Sequence, residues 1–165
     1  MNSYNILIVD DEMSVLNSLK RLFKKERYSI FTSHSGEEGL KILEKENIDL
    51  IISDQKMPGM SGIEFLEKTV EPYPDVIRII LTGHAELNDA IRAVNSGCVY
   101  KFIQKPWNSE DLQITVRRAL EQYDLLMKNR DLTMELKKRD KIFDELEKKY
   151  PGITKRPENG IYEIK

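Results

Sequence analysis

Five polar residues of this chain lie at or just beyond the ends of short apolar runs that are rich in β-branched side chains: Asp10, Asp11, Asp54, Thr82 and Lys105. The runs cover residues 6–9, 50–52, 76–81 and 99–103. Apolar runs of this length, separated by helical patterns, are typical of buried strands in a parallel sheet. Ligands of open α/β sheets bind beyond the carboxyl ends of the strands. We therefore expect the five polar groups to converge on one edge of a sheet.

Three carboxylates, a hydroxyl and an ammonium at one edge indicate a particular chemistry. Like charges a few ångströms apart repel strongly, so the carboxylates need a cation. Mg²⁺ prefers oxygen ligands and keeps several waters, which suits two or three carboxylates. With Mg²⁺ present, one carboxylate could attack a phosphorus centre, while Lys105 neutralises the phosphoryl oxygens and Thr82 donates a hydrogen bond to one of them. The product would be an acyl phosphate on an aspartate.

The elements that position these residues form a repeating pattern. Apolar residues recur at helical spacing between the runs, and a further short strand is expected near residues 29–32. Gly97 should stop the fourth helix, and Asn108 or Ser109 should cap the fifth. Five βα units linked by right-handed crossovers give an α/β fold with a doubly wound parallel sheet.

The fifth helix is predicted to continue well beyond the sheet, because no Gly or Pro occurs between about residues 112 and 150. Two series spaced seven apart occupy heptad d and a positions: Leu125, Leu132, Arg139 and Leu146, and then Asn129, Leu136, Phe143 and Tyr150. This favours a dimeric coiled coil, in which Asn129 fixes the register and Arg139 is a defect. The alternative is a single helix, either folded back on its own domain or lying in solvent. Pro151-Gly152 ends the helix, and the remaining residues predict either a short hairpin at Asn159-Gly160 or a disordered tail.

Composition excludes several classes of function. The net charge is -2 and the pI is about 5.8, and no basic tract marks a nucleic-acid-binding surface. Cys98 is the sole cysteine, so no intrachain disulfide can form, which fits a reducing compartment. No apolar stretch approaches the length of a membrane span. We expect a cytoplasmic protein that contacts neither nucleic acid nor membrane.

The motifs around the five polar residues resemble the receiver domain of two-component response regulators. The resemblance covers residues 1 to about 122 and rests on four pieces in the family's order and spacing: Ile6-Leu7-Ile8-Val9-Asp10-Asp11-Glu12, Asp54 with Met57-Pro58-Gly59-Met60-Ser61-Gly62, Leu81-Thr82-Gly83-His84, and Lys105-Pro106-Trp107. It implies a flavodoxin-like (βα)5 sheet of strand order 2-1-3-4-5, followed here by the extended fifth helix.

The resemblance also implies roles for the site residues. Asp54 would accept a phosphoryl group from the phosphohistidine of a histidine kinase, and Thr82 and Lys105 would bind the phosphoryl oxygens. Mg²⁺ would be held by four residues: Asp10, Asp11, Asp54 and, through its backbone carbonyl, Lys56. The resemblance thus implies a signalling switch that phosphorylates itself and is not a turnover enzyme.

Phe102 matches the family's switch aromatic, which turns inward when Thr82 moves. That aromatic is often a tyrosine, and phenylalanine has no hydroxyl, so its signal must be steric; Tyr100 could share the role. The Lys105-Pro106 bond is expected to be cis. Lys56 and His84 flank the phosphoryl position, and we hypothesise that they tune the lifetime of the acyl phosphate.

The predicted organisation is a receiver domain at residues 1–122, a helical extension at 123–150 that forms a homodimer, and a tail at 151–165. The extension is too short for a DNA-binding or catalytic output domain, which leaves a stand-alone receiver or part of a longer regulator, with an unknown downstream partner. A rival is a hydrolase of the haloacid-dehalogenase type, but its Asp-x-Asp motif is replaced here by Asp10-Asp11-Glu12. A third possibility is a dimerisation module that no longer signals.

Overall fold

Five strands alternate with five helices in this computed structural model, which describes residues 3–153. The strands are β1 (Tyr4–Val9), β2 (Tyr28–Ser33), β3 (Leu50–Asp54), β4 (Ile77–Thr82) and β5 (Lys101–Gln104). The helices are α1 (Met13–Leu22), α2 (Gly36–Lys45), α3 (Gly62–Val70), α4 (Leu87–Asn95) and α5 (Ser109–Lys149). The alternation is the one that the apolar runs predicted.

The strands form one parallel sheet in the order β2-β1-β3-β4-β5. This confirms the predicted doubly wound α/β fold. At the carboxyl edge, Asp54 of β3 is in register with Leu81 of β4, and Thr82 is in register with Gln104 of β5. The ends of these three strands therefore lie side by side, with Asp54 one residue out of step with Thr82.

Each face of the sheet carries its own hydrophobic core. Ile6 and Ile8 of β1 belong to the cluster that includes apolar residues of α1 and α5. Leu7 and Val9 belong to the cluster that includes residues of α2, α3 and α4. Because successive strand residues point to opposite faces, a strand covered on both sides must be apolar throughout. This is why the central strands appear in the sequence as unbroken apolar runs.

Side-chain caps set the starts of several helices. Ser35 caps α2 by accepting a hydrogen bond from the backbone of Glu38, and Ser61 forms a capping box with Glu64 at the start of α3. Asn108 Oδ1 accepts hydrogen bonds from the second and third residues of α5, which identifies Asn108 as the predicted cap. Gly97 follows the end of α4 with φ of +80°, the left-handed conformation that favours glycine at this position.

The chain divides into two compact units, residues 1–125 and 126–165. In the first unit, the early turns of α5 bury Leu112, Val116 and Leu120 in the core. In the second unit, the described residues are helical to Lys149, and large apolar side chains along them are exposed. The limits 1–122, 123–150 and 151–165 remain a prediction, and the hairpin proposed at Asn159-Gly160 lies outside the described residues. No helix in residues 3–153 is both long and apolar enough to cross a bilayer.

Candidate functional site

The carboxyl edge of the sheet gathers the predicted acidic residues. Asp10 follows β1 directly and Asp54 is the last residue of β3. Asp10, Asp11 and Asp54 each present one carboxylate oxygen within 4.8 Å of the others. Lys105, directly after β5, places its Nζ 2.7 Å from Asp54 Oδ1 and 3.6 Å from Asp10 Oδ2. Four of the five polar residues singled out in the sequence thus form one cluster.

Thr82, the fifth of these residues, ends β4 beside this cluster. Its backbone carbonyl accepts a hydrogen bond from Lys105 N at 2.8 Å, which joins the ends of β4 and β5. Its hydroxyl donates to the carbonyl of Gly83 at 3.2 Å, a long hydrogen bond for an O–H donor. The hydroxyl is thus only weakly held. The N-cap position of α4 is occupied by Glu86, so Thr82 does not cap that helix.

The three carboxylates differ in their exposure to solvent. Asp10 is 0% exposed and Asp54 is 5% exposed, whereas Asp11 is exposed to solvent. Asp10 Oδ1 accepts a hydrogen bond from the backbone of Glu12 at 2.9 Å, but the buried Oδ2 has no hydrogen-bond partner among the described residues. Burial raises the pKa of Asp10, and the neighbouring charge of Asp54 raises it further against the opposing effects of Glu12 and Lys105. Burial likewise raises the pKa of Asp54, although Lys105 opposes it.

Lys105 is held as an ammonium by the two buried carboxylates. Burial alone lowers its pKa, but the hydrogen bond and charge of Asp54, with the charge of Asp10, more than compensate, so the pKa lies above its usual value. One ammonium does not balance three carboxylates, and the buried oxygen of Asp10 still lacks a hydrogen-bond donor. The donor set therefore fits a hard divalent cation, which prefers carboxylate oxygens and tolerates waters in its remaining positions. The backbone carbonyl of Lys56 as a further ligand remains a prediction.

The start of α3 is packed directly against the end of β3. Gly62 N donates to the backbone carbonyl of Gln55 at 2.9 Å, and Ile63 N donates to the side-chain Oε1 of Gln55 at the same distance. A Cβ on Gly62 would overlap the carbonyl oxygen of Asp54, so the approach requires glycine. Sequence reasoning matched Gly62 to a motif but gave no role to Gln55, because no local pattern shows which helix a strand-end side chain will meet.

The remaining predicted residues surround this edge. Phe102 is half-buried against the core on the α2–α3–α4 side of the sheet, whereas Tyr100 is exposed and precedes β5. The Lys105–Pro106 peptide bond is cis, as expected. His84 Nδ1 lies 3.4 Å from Gln104 Nε2, and the side chains of both residues are exposed.

Comparison with known proteins identifies the family of this chain. The family described as the response regulator receiver domain matches residues 6–117. The chain is 35% identical over 132 residues to the hydrogenase transcriptional regulatory protein HoxA of Cupriavidus necator, covering 80% of this chain and 27% of that protein. It is 37% identical over 118 residues to the transcriptional regulatory protein GlrR of Escherichia coli, covering 72% of this chain and 26% of that protein.

A solved structure gives the same answer. The response regulator receiver domain protein of Clostridium thermocellum superposes with a TM-score of 0.70 at 35% identity, covering 74% of this chain and 98% of that one. The chain spans about a quarter of the length of the curated relatives named above. Since the family match covers most of the chain and includes the acidic edge of the sheet, this protein belongs to the response regulator receiver domain family.

Proposed function

We propose that this chain is the phosphoacceptor switch of a two-component phosphorelay and that Asp54 receives the phosphoryl group from a histidine kinase. The observation that carries the proposal is the contact of 2.7 Å between Lys105 Nζ and Asp54 Oδ1 within the carboxylate cluster. A lone carboxylate at the end of a strand needs no half-buried ammonium beside it. A carboxylate that must carry a phosphoryl group benefits from a cation placed beside it before the reaction.

The residues divide the chemistry among them. An oxygen of Asp54 forms a bond to phosphorus while the bond from phosphorus to the donor's imidazole nitrogen breaks, and the electron pair stays on that nitrogen. Lys105 neutralises charge on the phosphoryl oxygens, and Thr82 rotates from its weak contact with Gly83 to donate to one of them. Mg²⁺, held by Asp10, Asp11, Asp54 and the carbonyl of Lys56, would supply further neutralisation of phosphoryl charge.

The signal would leave the site through β4 and β5. Phe102 is in register with Ile80, two residues before Thr82 on β4. Movement of Thr82 towards a phosphoryl group would open space that Phe102 fills by packing alone. The surface formed by α4, β5 and the start of α5 would then change shape, as a shift between two existing conformations.

The receiver would pass this signal to a second copy of itself and to a downstream partner or output domain. The two relatives named above are described as transcriptional regulatory proteins, and each is much longer than this chain. The heptad pattern of α5 supports a homodimer through the helical extension. We place these events in the cytoplasm, where histidine kinases expose their phosphohistidine.

Intact-mass measurement tests the proposal. The full chain is incubated with a small-molecule phosphodonor and Mg²⁺, next to Asp54→Asn and next to Asp131→Asn, which changes an exposed aspartate of α5. The wild-type chain and Asp131→Asn should each gain one phosphoryl group only with Mg²⁺ present, and Asp54→Asn should gain none. Phosphorylation of Asp54→Asn would contradict the assignment. Multiple turnover of a simple phosphomonoester by the wild-type chain would favour the hydrolase instead.

A further inference from the structure

Gln55 has an unusual position for a polar residue, since it follows Asp54 directly and is only 8% exposed. Its backbone N–H donates to the carbonyl of Leu81 on β4 at 2.9 Å. Its backbone carbonyl and its side-chain Oε1 both accept hydrogen bonds from α3. One residue therefore links the end of β3 to a strand on one side and to a helix on the other.

The two acceptors of Gln55 complete the first turn of α3. The first N–H groups of a helix have no partner within the helix and must be satisfied from outside. Gly62 N donates to the Gln55 carbonyl, Ile63 N donates to Gln55 Oε1, and Glu64 N donates to Ser61 Oγ at 3.2 Å. Two of these three groups thus depend on the residue beside Asp54. The capping box of Ser61 would hold the helix together without Gln55, so the Gln55 contacts chiefly decide where the helix start lies.

We propose that Gln55 is a positioning residue for the phosphoacceptor site, a role that rests on the function proposed above. Through Oε1 and the start of α3, it fixes the direction of the Asp54 carboxylate and of the chain that leads to the carbonyl of Lys56. The carbonyl of Gln55 belongs to the peptide group that joins it to Lys56, so holding that carbonyl fixes the plane from which the Lys56 backbone departs. Removing Oε1 leaves the Ile63 N–H without its acceptor and loosens the start of α3, which carries the Gly62 N–H that holds this peptide.

The test compares Gln55→Met with two other variants of the full chain. Methionine keeps the length of the side chain but cannot replace the amide acceptor. Gln55→Glu keeps an acceptor oxygen at the same reach. Gln113→Met is the matched control, because the Gln113 side chain also makes one part-buried hydrogen bond to a backbone group. Its Nε2 donates to the carbonyl of Leu22, the last residue of α1.

The measurements are Mg²⁺ affinity by calorimetry, the rate of phosphorylation at saturating Mg²⁺, hydrogen exchange at the Ile63 amide, and Tm. Gln55→Met should bind Mg²⁺ about tenfold more weakly, the usual effect of losing a group that orients metal ligands. It should also phosphorylate more slowly and exchange the Ile63 amide faster. Gln55→Glu should restore Ile63 protection and most of the rate. Gln113→Met should lower Tm as much as Gln55→Met but leave the other three quantities unchanged.

The outcomes separate the two proposals. If the wild-type chain takes up no phosphoryl group, the proposed function fails, and the positioning role fails with it. If the wild-type chain is phosphorylated and Gln55→Met matches it in Mg²⁺ affinity and rate, only the positioning role is overturned, and Gln55 merely stabilises the fold. The role is also overturned if Gln55→Glu behaves like Gln55→Met, because the acceptor oxygen would then be irrelevant.

Discussion

Asp10 illustrates at the scale of one residue how a functional site costs stability. Its side chain is fully buried beside Asp54, and its Oδ2 receives no hydrogen bond from any described residue. Burying a carboxylate is unfavourable unless it is paired, and the ammonium of Lys105 lies closer to Asp54 than to Asp10. Local rules of folding are most often broken at functional sites, so we expect the cation-free domain to be strained at this point.

The first prediction is that Asp10→Asn stabilises the chain when divalent cations are chelated. The amide keeps an oxygen for the Glu12 backbone and removes one charge from the buried cluster. The free energy of unfolding at pH 7 should rise by about 1 kcal/mol, a common gain when a functional residue is neutralised. Urea denaturation in excess EDTA measures it.

Asp11→Asn is the matched control for this prediction, because Asp11 belongs to the same cluster but is exposed. Its effect on unfolding in EDTA should stay within about 0.5 kcal/mol, as for most surface substitutions. Added Mg²⁺ should stabilise the wild-type chain, through binding to the folded state, far more than either variant. A cation-free Asp10→Asn chain that is less stable than the wild type would contradict the argument.

At the scale of the element, local sequence patterns predict the strands, the helices and the residues at their ends. The structure adds the contacts between elements that are distant in the sequence. Asp10, Asp54, Thr82 and Lys105 could be identified because each ends or directly follows a strand, and parallel strands end at one edge. The cap at Asn108 could be predicted in the same way, because a cap depends on local hydrogen bonding.

Contacts between distant elements could not be predicted from one sequence. Arg78 on β4 is 6% exposed and donates to Thr69 Oγ1, to the Thr69 carbonyl and to the Tyr73 carbonyl, at and just beyond the end of α3. In the sequence it only interrupts an apolar run. Gln55 is similar, since its partner Ile63 becomes visible only when α3 packs against β3. The spacing of apolar residues predicts which face of a helix or strand is buried. The hydrogen bonds of Arg78 and Gln55 depend instead on the distance between packed elements, which the spacing does not give.

Tyr4 and Asp124 make another such contact, between β1 and α5. The Tyr4 hydroxyl donates to Asp124 Oδ2 at 2.6 Å. That hydrogen bond, assisted by burial, raises the pKa of Tyr4 to about 12. The phenol must keep its proton to donate, so the stabilisation is complete below pH 10, the ordinary pKa of tyrosine, and is lost as the pH rises through about 12.

The second prediction follows from this pH dependence of the stability that the Tyr4 hydroxyl contributes. Tyr4→Phe should unfold more easily than the wild-type chain by about 1 kcal/mol at pH 8, the usual net value of one hydrogen bond. The difference should shrink as the pH rises from 10 towards 12. Denaturant titrations at a series of pH values measure it.

Tyr100→Phe, which removes an exposed phenol, serves as the control, and its difference from the wild-type chain should not follow this course. A Tyr4→Phe difference that stays constant up to pH 12 would show that the hydroxyl stabilises the fold by packing and not through its proton.

At the scale of the whole molecule, the question is what covers the apolar side chains of the second unit. Leu132, Leu136 and Phe143 are each at least 50% exposed in a single chain, and they fall on heptad d and a positions. Three large apolar residues on one seam are costly to leave in water. A second copy of the same helix would bury them in a coiled coil, whereas a solitary helix would leave them exposed.

A substitution at Arg139 distinguishes the coiled-coil dimer from the solitary helix, because position 139 is buried at a d position only if two helices pair. Arg139→Leu should then tighten the dimer at least about tenfold, since burying one leucine contributes roughly 1.5–3 kcal/mol and 1.4 kcal/mol is a factor of ten. Lys138→Leu places the same side chain at a c position, outside the seam, and should leave the dissociation constant almost unchanged. Sedimentation equilibrium of the full chain measures both. If neither variant dimerises, the helix is solitary and the coiled coil is wrong. If both variants tighten association equally, the exposed leucines form a non-specific apolar surface and the heptad register assigned to this helix is wrong.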